Sequence, residues 1–323
     1  MHFVSKNIEE YTLEILDIQN ISKLQRPCVI TIGMFDGVHI GHRQMLEELK
    51  LWAERCSAAS VVVTFSNHPR QILDKNSDNP IKFIDTKSER FQKIASCGVD
   101  FILPIEFTKA FASLTPMQFL DVLLEKMDIR LLLLGYDNRF GNPKNNEYET
   151  LLKDGFYKNI KIQKDVSGVY YNDIEVSSTQ IRNAITSGKI KTANAMLSEP
   201  YCITSKVING LQNGRKIGFP TANIIIPDNK ILPQAGVYAT KTIIDNQIYN
   251  SITNIGNNPT FEAKTTTVET HIMDFKDDIY QKEITVKFLD FIRQERKFDT
   301  AEDLSDQINK DLMYAKDIFN NSI

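Results

Sequence analysis

Four cysteines, Cys28, Cys56, Cys97 and Cys202, are scattered through 323 residues with no C-x-x-C pair. That spacing excludes a zinc ribbon and a disulfide framework, and it fits a reduced, cytoplasmic setting. Positive charge is not in surplus: 38 Lys and Arg face 41 Asp and Glu, for a formal net charge of −3. No basic field argues for nucleic acid as a partner. No apolar run approaches the roughly 18 residues of a membrane helix, so no membrane is expected either. The start, MHFVSKNIEEYTLEI, is too acidic and too broken for a secretory leader. Internal repeats, low-complexity tracts and the Walker A pattern G-x-x-x-x-G-K-[ST] are also missing. What remains is a globular chain whose length favours two domains.

The first half alternates strand and helix patterns. Strands are expected at 29–32, 60–65, 99–105, 130–134 and 159–163. Helices are expected at 43–56, from 86 to Gly98, at 116–127, at 147–153 and over SSTQIRNAITSG. Thr115 and Gln118 form a capping box with Pro116 at the first helical position. Strands separated by helices mean a parallel sheet, with ligands bound beyond the carboxyl ends of the strands. After a connecting helix at 189–197 the pattern changes. Five strand candidates at 201–209, 236–244, 247–255, 266–275 and 284–291 lack intervening helices, which predicts an antiparallel barrel or sandwich. A final helix at 299–320 carries Leu304, Ile308, Leu312, Ala315 and Phe319 on one face. The domain boundary is expected between 186 and 200.

The stretch VITIGMFDGVHIGHRQMLEELK organises the first half. His39 and His42 flank Ile40 and Gly41 where a strand hands over to a helix. Free N–H groups at a helix start and two imidazoles suit a phosphate, although a plain βα turn with two surface histidines has the same pattern. Thr64–Arg70 (TFSNHPR) and Gly135–Gly141 (GYDNRFG) follow other strands and belong on the same sheet edge. Ser177, Ser178 and Thr179 open a helix with Arg182 one turn in, an arrangement that grips a polyphosphate or merely caps a helix. In the second half, Gly210, Gly214 and Gly218 surround Arg215 in a loop whose amides can cradle phosphates. Thr221 and Asn223 then offer two hard oxygens suited to Mg²⁺. Glu269 lies with His271 and Met273 on one face of an alternating strand; turned inward it is costly unless paired or functional, and turned outward it is unremarkable.

Eight segments in order, GMFDGVHIGH, TFSNHPR, GYDNRFG, SSTQIR, GRKIGFPTAN, NIGNNPTF, VETHIMDF and FIRQERKF, cover nearly the whole chain. Together they resemble the bifunctional riboflavin kinase/FMN adenylyltransferases, the bacterial FAD synthetases. The resemblance implies an α/β nucleotidyltransferase domain with a Rossmann-like parallel sheet over 1–186. A β-barrel riboflavin kinase domain with a C-terminal helix would follow over 187–323. It implies that riboflavin and ATP give FMN in the second domain, and that FMN and a second ATP give FAD and pyrophosphate in the first. Both steps use Mg²⁺ and small-molecule substrates, and a weak homo-oligomer is compatible with either. By resemblance His39 and His42, with Gly33, Phe35, Asp36 and Gly41, handle ATP phosphates, and Ser177, Ser178, Thr179 and Arg182 hold the triphosphate. Gly210, Gly214, Arg215, Gly218 and Pro220 form the kinase loop, Thr221 and Asn223 bind Mg²⁺ and ATP, and Glu269 is the base. His68, Asp137, Asn138, Arg139 and Arg293 border flavin. Met34, Ser66, Asn67, Asn138 and Gln212 depart from the family's common pattern. Those at 34, 66, 67 and 138 motivate a second reading, an active kinase with a weak or regulatory flavin-nucleotide-binding first domain.

Overall fold

The computed structural model describes residues 14–18, 24, 26–67, 72, 81–136, 138–142, 146–164, 167–210, 214, 217–260 and 263–320. Contacts divide the chain into two compact units: Met1–Ile81 with Lys87–Glu175, and Lys82–Thr86 with Val176–Ile323.

The first unit is built on β1 (Glu14–Ile15), β2 (Cys28–Ile32), β3 (Ala59–Phe65), β4 (Phe101–Ile105), β5 (Ile129–Leu134), β6 (Phe156–Tyr157) and β7 (Ile160–Lys164). They form one sheet of order β1-β4-β3-β2-β5-β7-β6, parallel except for the β6–β7 pair. Helices α1 (Ile40–Arg55), α2 (Lys87–Ser96), α3 (Lys109–Ala112), α4 (Pro116–Leu124) and α5 (Glu147–Asp154) complete it, with a small hairpin of β8 (Tyr170–Tyr171) and β9 (Ile174–Glu175). Val29, Val62, Leu131 and Leu133 pack with Leu46, Leu49, Phe91 and Ile94 on one face of the sheet. Ile30, Ile32, Val61, Val63, Leu132 and Leu134 pack with Phe119, Leu120 and Leu123 on the other. A sheet covered on both faces explains why its strands are apolar throughout rather than alternating. Leu46 and Leu49, both fully buried, each stabilise the α1 contact by roughly 1.5–3 kcal/mol. The Thr115–Gln118 capping box is present in both directions.

The second unit opens with α6 (Ser178–Thr186) and α7 (Ile190–Leu197). Six strands then close a barrel: β10 (Cys202–Ile208), β11 (Ala222–Ile224), β12 (Gly236–Ile244), β13 (Gln247–Thr260), β14 (Ala263–Ile272) and β15 (Glu283–Arg293). Their order is β10-β11-β14-β13-β12-β15, with β15 returning to β10. The short β11 escapes a hydropathy reading because three residues carry no period. Helix α8 (Ala301–Asn320) lays Ala315 and Phe319 on Ala239 and Ile252 of the barrel's outer surface. The compact units part at 175/176, before the division expected from the sequence at 186/187. A short turn containing Gly188 joins α6 to α7, and Lys189 N–H donates to the Ala184 carbonyl at 2.9 Å. Asn194 of α7 then donates to the Phe288 carbonyl at 2.8 Å and accepts from Tyr201 N–H at 2.8 Å, clipping both helices to the barrel. Residues 82–86 join this unit because Phe83 exchanges backbone hydrogen bonds with Asn229 and Ile231.

The barrel interior is partly polar. Thr242, Ser251, Thr240, Thr253 and Thr270 are fully buried and linked hydroxyl to hydroxyl at 2.8, 2.8, 2.9 and 2.9 Å. Each hydroxyl can donate once and accept twice, so a chain satisfies every member without a charge. Among the described residues no helix is long and apolar enough to cross a membrane. Replacing Thr253 by Val breaks two links and leaves Thr240 and Thr270 short of a partner. We expect a loss of about 1–3 kcal/mol in a urea melt; an unchanged midpoint would show that the hydroxyl chain contributes nothing.

Candidate functional site

Strand β2 ends at the carboxyl edge of the parallel sheet, and the turn beyond it is wound tightly. Phe35 and Val38 have φ of 52° and 39°, in the left-handed region that side chains resist, and both are buried. This backbone sets His39 as the N-cap of α1, its Nδ1 accepting from His42 N–H at 3.3 Å. An accepting Nδ1 assigns the ring proton of neutral His39 to Nε2. The two imidazoles stack with centroids 3.6 Å apart and 18° between planes, and Phe35 leans on His42 at 5.0 Å. Burial, His39 and the guanidinium of Arg90 hold the His42 pKa well below its usual 6.5. Gly33, Asp36 and Gly41 complete the turn: Gly33 continues the β3 pairing through its N–H to the Val63 carbonyl at 3.0 Å, and Asp36 is buried.

Three of the sequence departures have structural work near this edge. Met34 packs against the core. Asn67 trades two hydrogen bonds with Phe107, at 2.9 and 2.8 Å, tying the ends of β3 and β4 together. The Asn138 amide donates to the Ile32 carbonyl and so latches the loop after β5 to the end of β2. Arg139 beside it is exposed. His68, Asp137, Arg215 and Gln212 lie outside the described residues. Sequence reasoning missed Arg90, which is 2% exposed and donates to the Phe65 carbonyl at 2.6 Å. A lone arginine on an amphipathic helix reads as surface, and no period reveals otherwise.

In the second unit Ser177 caps α6, accepting from Gln180 N–H at 3.3 Å. The helix begins with Ser178 and exposed Thr179, and Arg182 follows on its first turn, half-buried.

The barrel carries the other constellation. Asn223 of β11 and Asn254 of β13 both stand opposite Glu269 of β14. Directly opposed residues share a face with Cβ atoms about 4.5–5.5 Å apart, so the three form a row. Thr253 and Thr270 point inward, which turns this row to the outer face. Glu269 is half-buried there and hydrogen-bonded to the Thr221 hydroxyl. Burial pushes its carboxyl pKa upward, the Thr221 hydrogen bond opposes the rise and the charge of Glu295 adds to it. Gly210 lies so close to Asn223 that a Cβ there would collide with the amide. Gly214 accepts from Phe219 N–H at 2.8 Å, Gly218 has φ of 86°, and the Pro220 carbonyl meets His271 Nδ1 at 2.8 Å. A cavity of about 410 Å³ opens between residues 220–222 and the turn at 275–280, over Val207, Thr270 and Ile272. The 275–280 wall and Asn254 were also missed from the sequence, because neither has a spacing that marks it. Arg293 is not free to point outward: Nε and Nη2 grip the carboxylate of buried Asp311 at 2.8–2.9 Å, bracing α8 against the barrel.

Because folded His42 binds its proton more weakly than the unfolded chain does, stability falls as pH drops below about 6.5 and is fully present above it. The single tryptophan, Trp52, lies on α1 and reports this unit's unfolding. Fluorescence-monitored urea melts between pH 7 and 5 should lose stability less steeply for His42→Gln than for the parent, by up to about 1.4 kcal/mol per pH unit. Parallel slopes would contradict a buried neutral His42.

The sequence model of the FAD synthetase family matches residues 21–180, and that of riboflavin kinase matches residues 197–319. A curated bifunctional riboflavin kinase/FMN adenylyltransferase of Bacillus subtilis (strain 168) is 33% identical over 306 residues, covering 93% of this chain and 95% of the relative. The Escherichia coli (strain K12) protein of the same name is 31% identical over 305 residues, covering 94% and 96%. A crystal structure described as a macrolide-efflux protein from Streptococcus pneumoniae superposes with a TM-score of 0.83 at 30% identity, covering 94% of this chain and 98% of that one. With two domain matches in order and one-third identity over nearly its full length, the chain belongs to the bifunctional riboflavin kinase/FMN adenylyltransferase family.

Proposed function

We propose that the chain makes FMN from riboflavin and ATP in its barrel unit, and FAD and pyrophosphate from FMN and ATP in its nucleotidyltransferase half. The observation that carries the kinase reading is Glu269, in register with Asn223 and hydrogen-bonded to Thr221, which itself lines the 410 Å³ cavity. The attacking 5′-hydroxyl of riboflavin is neutral and must lose a proton. Glu269 accepts it, and a carboxylate of raised proton affinity is a better base near neutral pH than an ordinary one. The nucleoside of ATP lies in the cavity, with its phosphates over the loop of Gly210, Gly214, Arg215, Gly218 and Pro220. Thr221 and Asn223 supply two hard oxygens, a set that would hold Mg²⁺. When bound with ATP, Mg²⁺ supplies neutralisation of phosphate charge.

In adenylyl transfer the nucleophile is an FMN phosphate, already anionic, so no base is required and catalysis is positioning and charge stabilisation. The His39 Nε2–H and the amides at the start of α1 meet ATP phosphates, with Gly33, Phe35, Asp36 and Gly41 shaping the turn. Ser177, Ser178, Thr179 and Arg182 hold the triphosphate at the start of α6. Arg139 is exposed on its loop and suited to the FMN phosphate, with His68 and Asp137 as further flavin contacts. Asn138 and Arg293 serve flavin indirectly, through Ile32 and Asp311. The functional division falls at 186/187; the family matches, ending at 180 and beginning at 197, support it. We place the enzyme in the cytoplasm, where riboflavin and ATP meet. The structural engagements of Met34, Asn67 and Asn138 favour two active units over a regulatory first domain.

Glu269→Gln should abolish FMN formation and leave FAD synthesis from supplied FMN intact. His39→Ala with His42→Ala should do the reverse. Chromatography of flavins after incubation with MgATP reads both, and a joint loss in either variant would defeat the division of labour.

A further inference from the structure

Strand β11 is short, and its register with β14 covers only Ala222 opposite Thr270 and Asn223 opposite Glu269. Thr221, whose hydroxyl meets Glu269, stands just outside that ladder. Before it, Pro220 has no N–H with which to extend the pairing, and Gly218 lies in left-handed backbone with φ of 86°. The ladder alone therefore does not fix the residue that carries the hydroxyl.

Strand β14 supplies the missing hold through a side chain. His271 follows Glu269 by two residues and lies on the same outer face. Its backbone stands opposite Ile252 of β13, which ties it to the barrel. Its Nδ1 meets the Pro220 carbonyl at 2.8 Å, and its ring meets Phe219 edge-on with centroids 5.5 Å apart. A carbonyl only accepts, so Nδ1 carries the proton and donates. Phe219 N–H in turn donates to the Gly214 carbonyl at 2.8 Å. A Cβ on Gly214 would lie 2.3 Å from the Phe219 carbonyl oxygen, so this loop closes tightly only around a bare Cα. The Phe219–Pro220 corner is thus tied to its own loop through Gly214 and to the barrel through His271.

Alternate side chains of β14 in this way grip consecutive loop residues: His271 holds Pro220, and Glu269 holds Thr221. Pro220 and Thr221 both line the 410 Å³ cavity, and among the described residues His271 acts on that wall without lining it. Its Nδ1 proton is committed to a backbone oxygen and is not aimed at a ligand.

We propose that His271 is a positioning residue for phosphoryl transfer: by holding the Phe219–Pro220 corner to β14, it keeps Thr221 beside Glu269 and the nucleotide wall in place. The role rests on the kinase reading above. The Nδ1 donor is the element that matters, and the ring contact with Phe219 is secondary. Neutral and cationic imidazole both donate from Nδ1, so the hold does not depend on the charge of His271.

Three variants of the full-length protein separate donor from ring. His271→Asn keeps a donor at the δ position and loses the ring, His271→Phe keeps a ring and loses the donor, and His271→Ala loses both. In FMN formation, His271→Phe and His271→Ala should raise KM for MgATP roughly 3- to 10-fold, the effect of one lost hydrogen bond, and leave KM for riboflavin unchanged. His271→Asn should stay near the parent. Hydrogen exchange over residues 217–222 of the nucleotide-free protein should quicken in the Phe and Ala variants and not in the Asn variant. Exchange along β14 should match the parent in all three, which controls for folding. An Asn variant as impaired as the Ala variant, or a Phe variant as good as the parent, would overturn the role of the donor. Faster loop exchange with unchanged MgATP kinetics would overturn the positioning role and leave the kinase reading intact. A parent protein that forms no FMN would remove the kinase reading itself, and this role with it.

Discussion

The pairing of β14 with β11 on one side and β13 on the other holds Glu269 level with Asn223 and Asn254. Side chains alternate along a strand, so a slip of one residue would send Glu269 into the barrel and Val268 or Thr270 to its surface. The interior resists that slip twice over. Val268 is buried, and Thr270 ends a chain of hydroxyls reaching back to β12. A carboxylate in their place would be buried without a partner. The packing that stabilises the barrel is thus the same constraint that aims Glu269 outward, half-buried and hydrogen-bonded to Thr221.

In the first unit the corresponding constraint is the end of β2. Its five residues are buried on both faces, and the chain must leave the sheet at once to start α1. It does so through Phe35 and Val38 in left-handed backbone, strain that core packing of both side chains maintains. The result is a rigid turn in which two imidazoles stack instead of repelling. Stacking at 3.6 Å beside Arg90 is compatible with neutral rings, which donate one hydrogen bond each and carry no charge of their own. Rings without charge leave any anion met at this turn to the amides of the helix start and to separate cations.

Much of this was legible in the residues. Gly236–Ile244 has the same bounds in sequence and structure, α8 keeps the predicted apolar stripe, and the parallel sheet follows from apolar strands separated by capped helices. Sequence failed where long-range partners override local pattern. Residues 82–86 look like a loop of the first domain, yet pair by backbone with 229–231, and backbone pairing leaves no trace in side-chain type. Thr240, Ser251 and Thr253 look like an outward polar face, and become a core only because they meet one another. Asn138 and Arg293 have the chemistry of ligand-binding groups, and the structure commits them to Ile32 and Asp311. Arg90 becomes visible only when the fold brings its helix to His42 and to the Phe65 carbonyl at the end of β3.

The central claim, two successive activities in one chain, is tested most directly by a time course. Purified full-length protein is incubated with riboflavin and MgATP, and the flavins are separated at intervals. The account predicts that FMN rises first and FAD follows at its expense. FMN accumulating without FAD, or riboflavin left unphosphorylated, would contradict it.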